Sequence, residues 1–297
     1  MYSNPLEAKT MFHETIVMDP NFTPAYTEIA GIWIRRGFYN GDLNAQEVLD
    51  SAYPYLDSAL KIDREYDQTY LWQGIMKLVF QWDFKGAEKA FEIAQVLNPA
   101  DPGIVPVTLL LMQGKYEDAL ERAYKGFNID PNLYLLDKGL SHFFIGELDK
   151  ANEVCDQVIQ YKFPNILKTG QLLLYLERYD ELISLSEKWI MTNDPFPFIL
   201  GSLIIAYDRT NNREKANLLL EQLKKSSIET SVGSPAFYTA RIYAARGQSD
   251  LAFKWLKKAF ANHEVEMVWL NEDPLFKGLY HDPRWKEIIE EVGFNKL

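Results

Sequence analysis

The stretch from residue 84 to residue 99 carries small and large apolar residues at helical spacing. Ala87 is followed by Phe91 four positions later and by Ala94 three positions after that, and Pro99 ends the stretch. In an α-helix these three positions lie on one face, and a proline does not continue a helix interior. The pattern predicts a helix that packs a narrow apolar face against a neighbouring element.

The same arrangement recurs along most of the chain. A residue equivalent to Ala87 can be assigned eight times, at steps of 31 to 44 residues. These residues are Ala8, Ala52, Ala87, Ala119, Ala151, Leu182, Ala216 and Ala252. A repeat of this length is typical of a solenoid, in which each helical unit packs only on its neighbours. We therefore predict an all-α protein made of stacked helix pairs.

A second pattern keeps the same register as the first. Turn residues stand five positions before the alanine position in four copies, and Gly37 holds the same place in a copy with a longer loop. They are Gly114, Gly146, Asn211 and Gly247. Glycine and asparagine tolerate the left-handed conformation that ends many helices. Seven positions before the turns lie sites for close helix approach, filled by Ala30, Gly74, Val107, Gly139, Gly170, Ile204 and Ala240.

A period near 34 residues with a small–large–small helix face and a closing proline resembles the tetratricopeptide repeat. The resemblance implies an α-α superhelix whose first helices line a concave groove, with binding of a protein or peptide partner as its general function. We expect a half-repeat over residues 4–21, then seven helix pairs to residue 262, and capping helices over residues 263–297.

The final segment breaks the period. Asp273-Pro274 and Asp282-Pro283 each predict a helix start with an aspartate cap and a proline in the first turn. The segment resembles the closing part of tetratricopeptide regions in bacterial signalling and transcriptional regulators, including adenylate cyclase-type proteins. The matching residues also include Leu270, Phe276, Leu279, Arg284 and Gly293. In such proteins a catalytic or DNA-binding domain precedes the repeats, so we expect more polypeptide before residue 1, or a dimer contact that covers the half-repeat.

The resemblance also implies which side chains face the groove. Most of them stand three residues before or one residue after a close-approach position, three stand four residues after one, and they are mostly apolar in the middle of the chain. The predicted groove residues are Leu71, Ile75, Leu78, Ile104, Thr108, Leu136, Leu140, Phe143, Leu167, Gln171 and Leu174. An apolar concave surface suits an amphipathic helix or a hydrophobic peptide. Two alternatives remain open: the curvature closes the groove, or the chain's own C-terminal segment fills it.

Charge, cysteine content and the length of apolar runs exclude some classes of function. The 297 residues include 42 acidic and 31 basic side chains, which gives a formal net charge of −11 and disfavours nucleic acid and anionic membranes as partners. The single cysteine, Cys155, falls on an apolar repeat position, which predicts a packing role. No apolar run reaches the ~20 residues of a membrane span. We expect a cytoplasmic protein that binds no membrane.

No set of residues predicts catalysis. The four histidines lack the partners of a zinc site, and neither a phosphate-binding glycine loop nor a nucleophile elbow is present. We expect no enzyme, no cofactor and no metal. The leading hypothesis is a non-enzymatic interaction scaffold, the docking or sensory part of a bacterial signalling or transcriptional regulator. The alternatives are a ligand- or peptide-sensing module that switches an attached output domain, and a homodimer formed through the half-repeat.

Overall fold

The computed structural model describes residues 5–40, 42–100, 107–161 and 165–294, and these residues contain helices and no β-strand. The α-helices are α1 (Pro5–Met18), α2 (Thr23–Arg35), α3 (Ala45–Ile62), α4 (Asp67–Gln81), α5 (Phe84–Leu97), α6 (Val107–Met112), α7 (Tyr116–Phe127), α8 (Pro131–Ile145), α9 (Leu148–Tyr161), α10 (Ile166–Tyr175), α11 (Tyr179–Ile190), α12 (Pro197–Arg209), α13 (Arg213–Glu229), α14 (Pro235–Ala245), α15 (Ser249–Ala261) and α16 (Pro283–Val292). A π-helical turn (Arg36–Asn40) continues α2, and two 3₁₀ helices (Val265–Trp269 and Pro274–Leu279) precede α16.

Consecutive helices pack as pairs, from α2 with α3 to α14 with α15. The first helices of neighbouring pairs also contact one another: α2 packs on α4, α6 on α8, α8 on α10, α10 on α12, and α12 on α14. The predicted fold class, an all-α solenoid of helix pairs with a helical C-terminal segment, is confirmed. The division of the chain at residue 262 and the half-repeat over residues 4–21 stay predictions, and residues 4 and 295–297 lie outside the described ranges.

The core of each pair is built on the small-residue position. Of the eight residues at this position, Ala8 is 7% exposed and the other seven are at most 1% exposed. A larger side chain there would hold the two helices of a pair apart or force its neighbours off their rotamers. Alanine therefore recurs at this position because the two helices of each pair pack closely there.

The predicted turns are confirmed at four places. Gly114, Gly146, Asn211 and Gly247 have φ values of 68°, 91°, 62° and 72°. Trp82 and Glu177 adopt the same left-handed conformation, at 52° and 58°, in the two pairs where the sequence shows no glycine or asparagine. A non-glycine residue in this region is under some strain, so these two turns are set by the packing around them.

Gly37 departs from the prediction that it is a turn residue. Gly37 does not end its helix, because it lies inside the π-helical turn that continues α2. Its role is close packing: a Cβ at this position would lie 2.3 Å from Cγ2 of Val48.

The C-terminal segment forms the two predicted helix starts. The carboxylate of Asp273 accepts a hydrogen bond from the backbone N–H of Leu275 at 3.1 Å, and that of Asp282 accepts one from Arg284 at 3.0 Å. Between them, the buried ring of Phe276 packs against Phe237 of α14 with centroids 5.5 Å apart. The segment therefore closes over α14, while α16 contacts α15.

Candidate functional site

The C-terminal segment crosses the inner side of the solenoid and reaches helices near its N-terminal end. The ring of His263 stacks on Trp82 with centroids 3.7 Å apart, and its Nε2–H donates to the carbonyl oxygen of Phe80 at 2.9 Å. Further along, the hydroxyl of Tyr116 donates to the carboxylate of Glu272. One segment thus contacts α4 and α7 as well as the final pair, so it does more than cap the end of the stack.

A cavity of about 120 Å³ remains between this segment and the first helices. Its walls include Thr108 of α6, Leu140 of α8, Leu167 and Gln171 of α10, and Phe198 of α12. The C-terminal segment supplies Glu266, Trp269 and Asp273, and α14 supplies Phe237, Tyr238 and Arg241. The space is several times the ~15 Å³ that one water needs by the same measure, so it can admit a small organic group.

Four of the predicted groove residues meet at this cavity: Thr108, Leu140, Leu167 and Gln171. Six others do not line it: Leu71, Ile75, Leu78, Leu136, Phe143 and Leu174. Of these six, Leu71 and Phe143 are half-buried and the rest are buried, the latter at 3% to 7% exposure. The last predicted residue, Ile104, lies outside the described residues. As a set, the groove residues stay predictions.

A buried ion pair lies on the cavity wall. Arg241 of α14 and Asp273 have side chains only 2% and 3% exposed, and Nε of the arginine lies 2.7 Å from a carboxylate oxygen of the aspartate. Arg241 also lies near the ring of Tyr175, at 5.5 Å from its centroid. The hydroxyl of Tyr175 accepts a hydrogen bond from the Gln171 amide at 3.0 Å.

Burial dominates the protonation of the carboxyl groups around this pair. It raises the pKa of Glu266 to about 7, although a hydrogen bond with Tyr238 and the charge of Arg241 both act to lower it. Burial also raises the pKa of Asp273, against the opposing effect of Arg241. The Glu264 carboxylate accepts hydrogen bonds from the backbone N–H groups of Ala236 and Phe237, in the first turn of α14, at 3.2 and 2.7 Å. Its burial nevertheless raises its pKa to about 7.

Lys168 is the other cation of the wall, and it is matched by a carboxylate. Its Nζ lies 2.6 Å from Oδ1 of Asp137, which is 7% exposed. Among the described residues, the wall therefore holds two carboxylates, Glu266 and Asp273, against the single guanidinium of Arg241. If all of these groups were ionised, the wall would carry one excess negative charge.

Sequence reasoning missed the polar half of this site. A charged residue, Arg241, stands at a position predicted to face the groove, and this was the available signal. Glu266, Trp269 and Asp273 belong to a segment expected to cap the end of the stack, so nothing local related them to the groove. The part of the chain that the structure describes holds no group of three or more His, Cys, Asp or Glu side chains arranged for a metal ion. Within the same ranges, every helix is too short or too polar to cross a bilayer.

No family model matches the chain, and no curated protein is significantly similar to it in sequence. A tetratricopeptide repeat protein from Parabacteroides merdae ATCC 43184 is similar in structure, with 16% identity, a TM-score of 0.49, and coverage of 89% of this chain and 99% of that chain. The TPR domain of P58(IPK) aligns with 12% identity, a TM-score of 0.28, and coverage of 98% and 95%. Neither similarity bears on the function of this chain, and its fold class rests on its own helix pairs.

Proposed function

We propose that this chain is a non-enzymatic interaction scaffold that binds a protein or peptide segment on the inner surface of the solenoid. The observation that supports the proposal is the cavity where Thr108, Leu140 and Leu167 meet, because these residues come from three successive first helices. A recess with apolar walls from several repeats and polar groups on one side suits the insertion of a side chain or a chain end. In keeping with the resemblance of its closing segment, we place the chain in a bacterial signalling or transcriptional regulator as the docking part.

The C-terminal segment limits what can bind. His263 of this segment stacks on Trp82, and the segment forms one side of the cavity of about 120 Å³. A bound segment would therefore insert one side chain or one terminus, unless the C-terminal segment moves aside. This favours short linear motifs over a whole helix as the bound element.

The test is a selection of displayed random peptides on the complete chain, followed by affinity measurements on two variants. Leu167→Asp places a charge on the half-buried cavity wall, and we expect it to weaken the selected peptides at least about tenfold because of the buried charge. Leu133→Asp is the matched control, since Leu133 is 59% exposed and does not line the cavity. Equal affinity for both variants, or no enriched peptide, would reject the proposal, and melting curves verify that both variants fold.

A ligand- or peptide-sensing module that switches an attached output domain is the second candidate. It is favoured by the position of Arg241, a buried cation facing the cavity. Soluble small molecules that raise the melting temperature of the chain would distinguish sensing from scaffolding.

Homodimerisation through α1 is a further possibility with its own support. Leu6, Met11, Val17 and Met18 are 57%, 63%, 83% and 85% exposed on this helix. Light scattering over a concentration series tests it, and a strict monomer at the highest concentration would exclude the dimer.

A further inference from the structure

The C-terminal end of α8 carries a carboxylate, an imidazole and a phenol in one hydrogen-bonded row. Nδ1 of His142 lies 2.6 Å from a carboxylate oxygen of Glu147, and Nε2 of the same ring lies 3.1 Å from the hydroxyl oxygen of Tyr124. The side chains of His142 and Glu147 are 3% and 37% exposed, and Tyr124 of α7 is 42% exposed. The base in the middle of the row is therefore buried, while the tyrosine at its end is open to solvent.

The turn after α8 brings the carboxylate to the imidazole. Gly146 has a φ value of 91°, and the backbone N–H of Glu147 donates to the carbonyl oxygen of His142 at 2.9 Å. This is a Schellman-type helix end, which folds the residue after the glycine back over the last helical turn. The tyrosine comes from α7, which packs on α8. Local turn chemistry and repeat packing thus assemble the row together.

The hydrogen bonds fix the direction in which a proton can move. Hydrogen bonds with Lys150 and His142 lower the pKa of Glu147, so its carboxylate is ionised and only accepts. Nδ1 of His142 therefore carries the proton, and in the neutral ring Nε2 is left to accept from the hydroxyl of Tyr124. A nucleophile bonded to a base that a third group orients is the arrangement by which proteins activate side-chain nucleophiles.

Two ammonium groups lie beside the phenol. Nζ of Lys138 is 4.5 Å from the centre of the Tyr124 ring. Nζ of Lys150 is 2.8 Å from the carboxylate of Glu147, and its charge interacts with Tyr124. Positive charge at this distance favours an ionised phenol, and it also stabilises an oxyanion that forms next to it.

We propose that Tyr124 is a modification site for an activated acyl group, with His142 as its general base and Glu147 as the positioning residue for that base. Oη of Tyr124 forms a bond to the acyl carbon, and the bond from this carbon to the leaving group breaks with its electron pair. The phenol proton passes to Nε2 of His142 and then to solvent, and the product is a phenol ester. The inference is independent of the proposed scaffold function, because none of these three residues lines the cavity.

The test is acylation of the complete chain by p-nitrophenyl acetate at neutral pH. The release of p-nitrophenolate gives the rate, and mass spectrometry of the digested chain assigns the acetyl group to a residue. Tyr53 of α3 is the internal reference, since it is 52% exposed and thus more accessible than Tyr124. General-base catalysis is typically worth about a hundredfold or more, so we expect Tyr124 to react at least about tenfold faster than Tyr53. Equal rates, or transfer only to lysines or to His142, would overturn the inference.

Two substitutions separate activation from structure. Glu147→Gln keeps the shape of the side chain and should slow Tyr124 at least about tenfold without changing Tyr53, whereas Glu153→Gln, at an exposed position of α9, should change neither. The Tyr124 rate should also be lower in heavy water, and His142→Gln should abolish this isotope effect. An unchanged ratio of the two tyrosine rates in Glu147→Gln would show the inference to be wrong, and this variant decides the question if melting curves show that His142→Gln is unfolded.

Discussion

The buried pair between Arg241 and Asp273 supports a quantitative prediction, because the chain supplies its own control. Asp273 and Asp282 both precede a proline, and both cap a helical segment through their side chains. They differ in burial: Asp273 is 3% exposed in its ion pair, whereas Asp282 and its partner Arg284 are 25% and 35% exposed. Replacing each aspartate with asparagine therefore makes the same chemical change in two environments.

Asp273→Asn should lower the free energy of unfolding by about 3–5 kcal/mol, which is typical of removing one partner from a buried ion pair. Asparagine keeps an oxygen for the N–H of Leu275, so the cap survives and the loss reports mainly on the uncompensated guanidinium of Arg241. Asp282→Asn should have little effect, because Arg284 is solvated and also pairs with Asp250 at 2.9 Å.

The assay is urea unfolding followed by far-ultraviolet circular dichroism at neutral pH, with the slope of each transition compared between variants. A double variant, Arg241→Met with Asp273→Asn, removes the stranded charge and should recover part of the stability lost in Asp273→Asn. Equal losses for the two asparagine variants would refute the reasoning. A double variant no more stable than Asp273→Asn alone would also refute it.

Three other predictions test protonation, packing and access. Burial raises the pKa of Glu266 from 4.5 to about 7. Between pH 4.5 and about pH 7, the folded chain therefore holds a proton on Glu266 that the unfolded chain has lost. Stability should therefore fall by about 3 kcal/mol as pH rises through this window, and Glu266→Gln should remove that part of the slope and leave the part due to Glu264. Gly74→Ala should cost about 1–3 kcal/mol in urea unfolding, because its methyl group would lie 2.6 Å from an aromatic carbon. Gly170→Ala should be tolerated, since its nearest contact would be 3.5 Å. Cys155 is fully buried with its pKa raised to about 11, so a thiol reagent should modify it quickly only in denaturant, and fast labelling of the native chain would contradict this packing role.

The repeat register was predictable because the interactions behind it are local. Ala87 and Phe91 pack within one hairpin, and turn residues such as Gly146 act on their own backbone. Contacts between residues a few tens of positions apart leave a periodic trace in the sequence, so the helix pairs and their order could be derived from it. The left-handed turns at Trp82 and Glu177 were not predicted, because such a turn at these residue types depends on the surrounding packing and not on local conformational preference.

Half of the candidate site could be predicted from the same repeat register. Leu140, Leu167 and Gln171 follow from the register, since each stands at a fixed offset from a close-approach position. The positions of Asp273 and Glu266 could not be predicted, because these residues meet the first helices only through contacts between distant parts of the chain. The contact between His263 and Phe80 joins residues 183 positions apart, and no periodic pattern records such a distance.

By itself, the amino-acid order determined that this chain is a row of helical hairpins with a distinct final segment. Only the tertiary structure decided that the final segment packs back on α4 and α7, and that a cavity lined by Arg241 and Asp273 lies beside it. The physical reason is that the small rotation between neighbouring pairs accumulates along the row. The accumulated rotation determines which distant side chains come into contact.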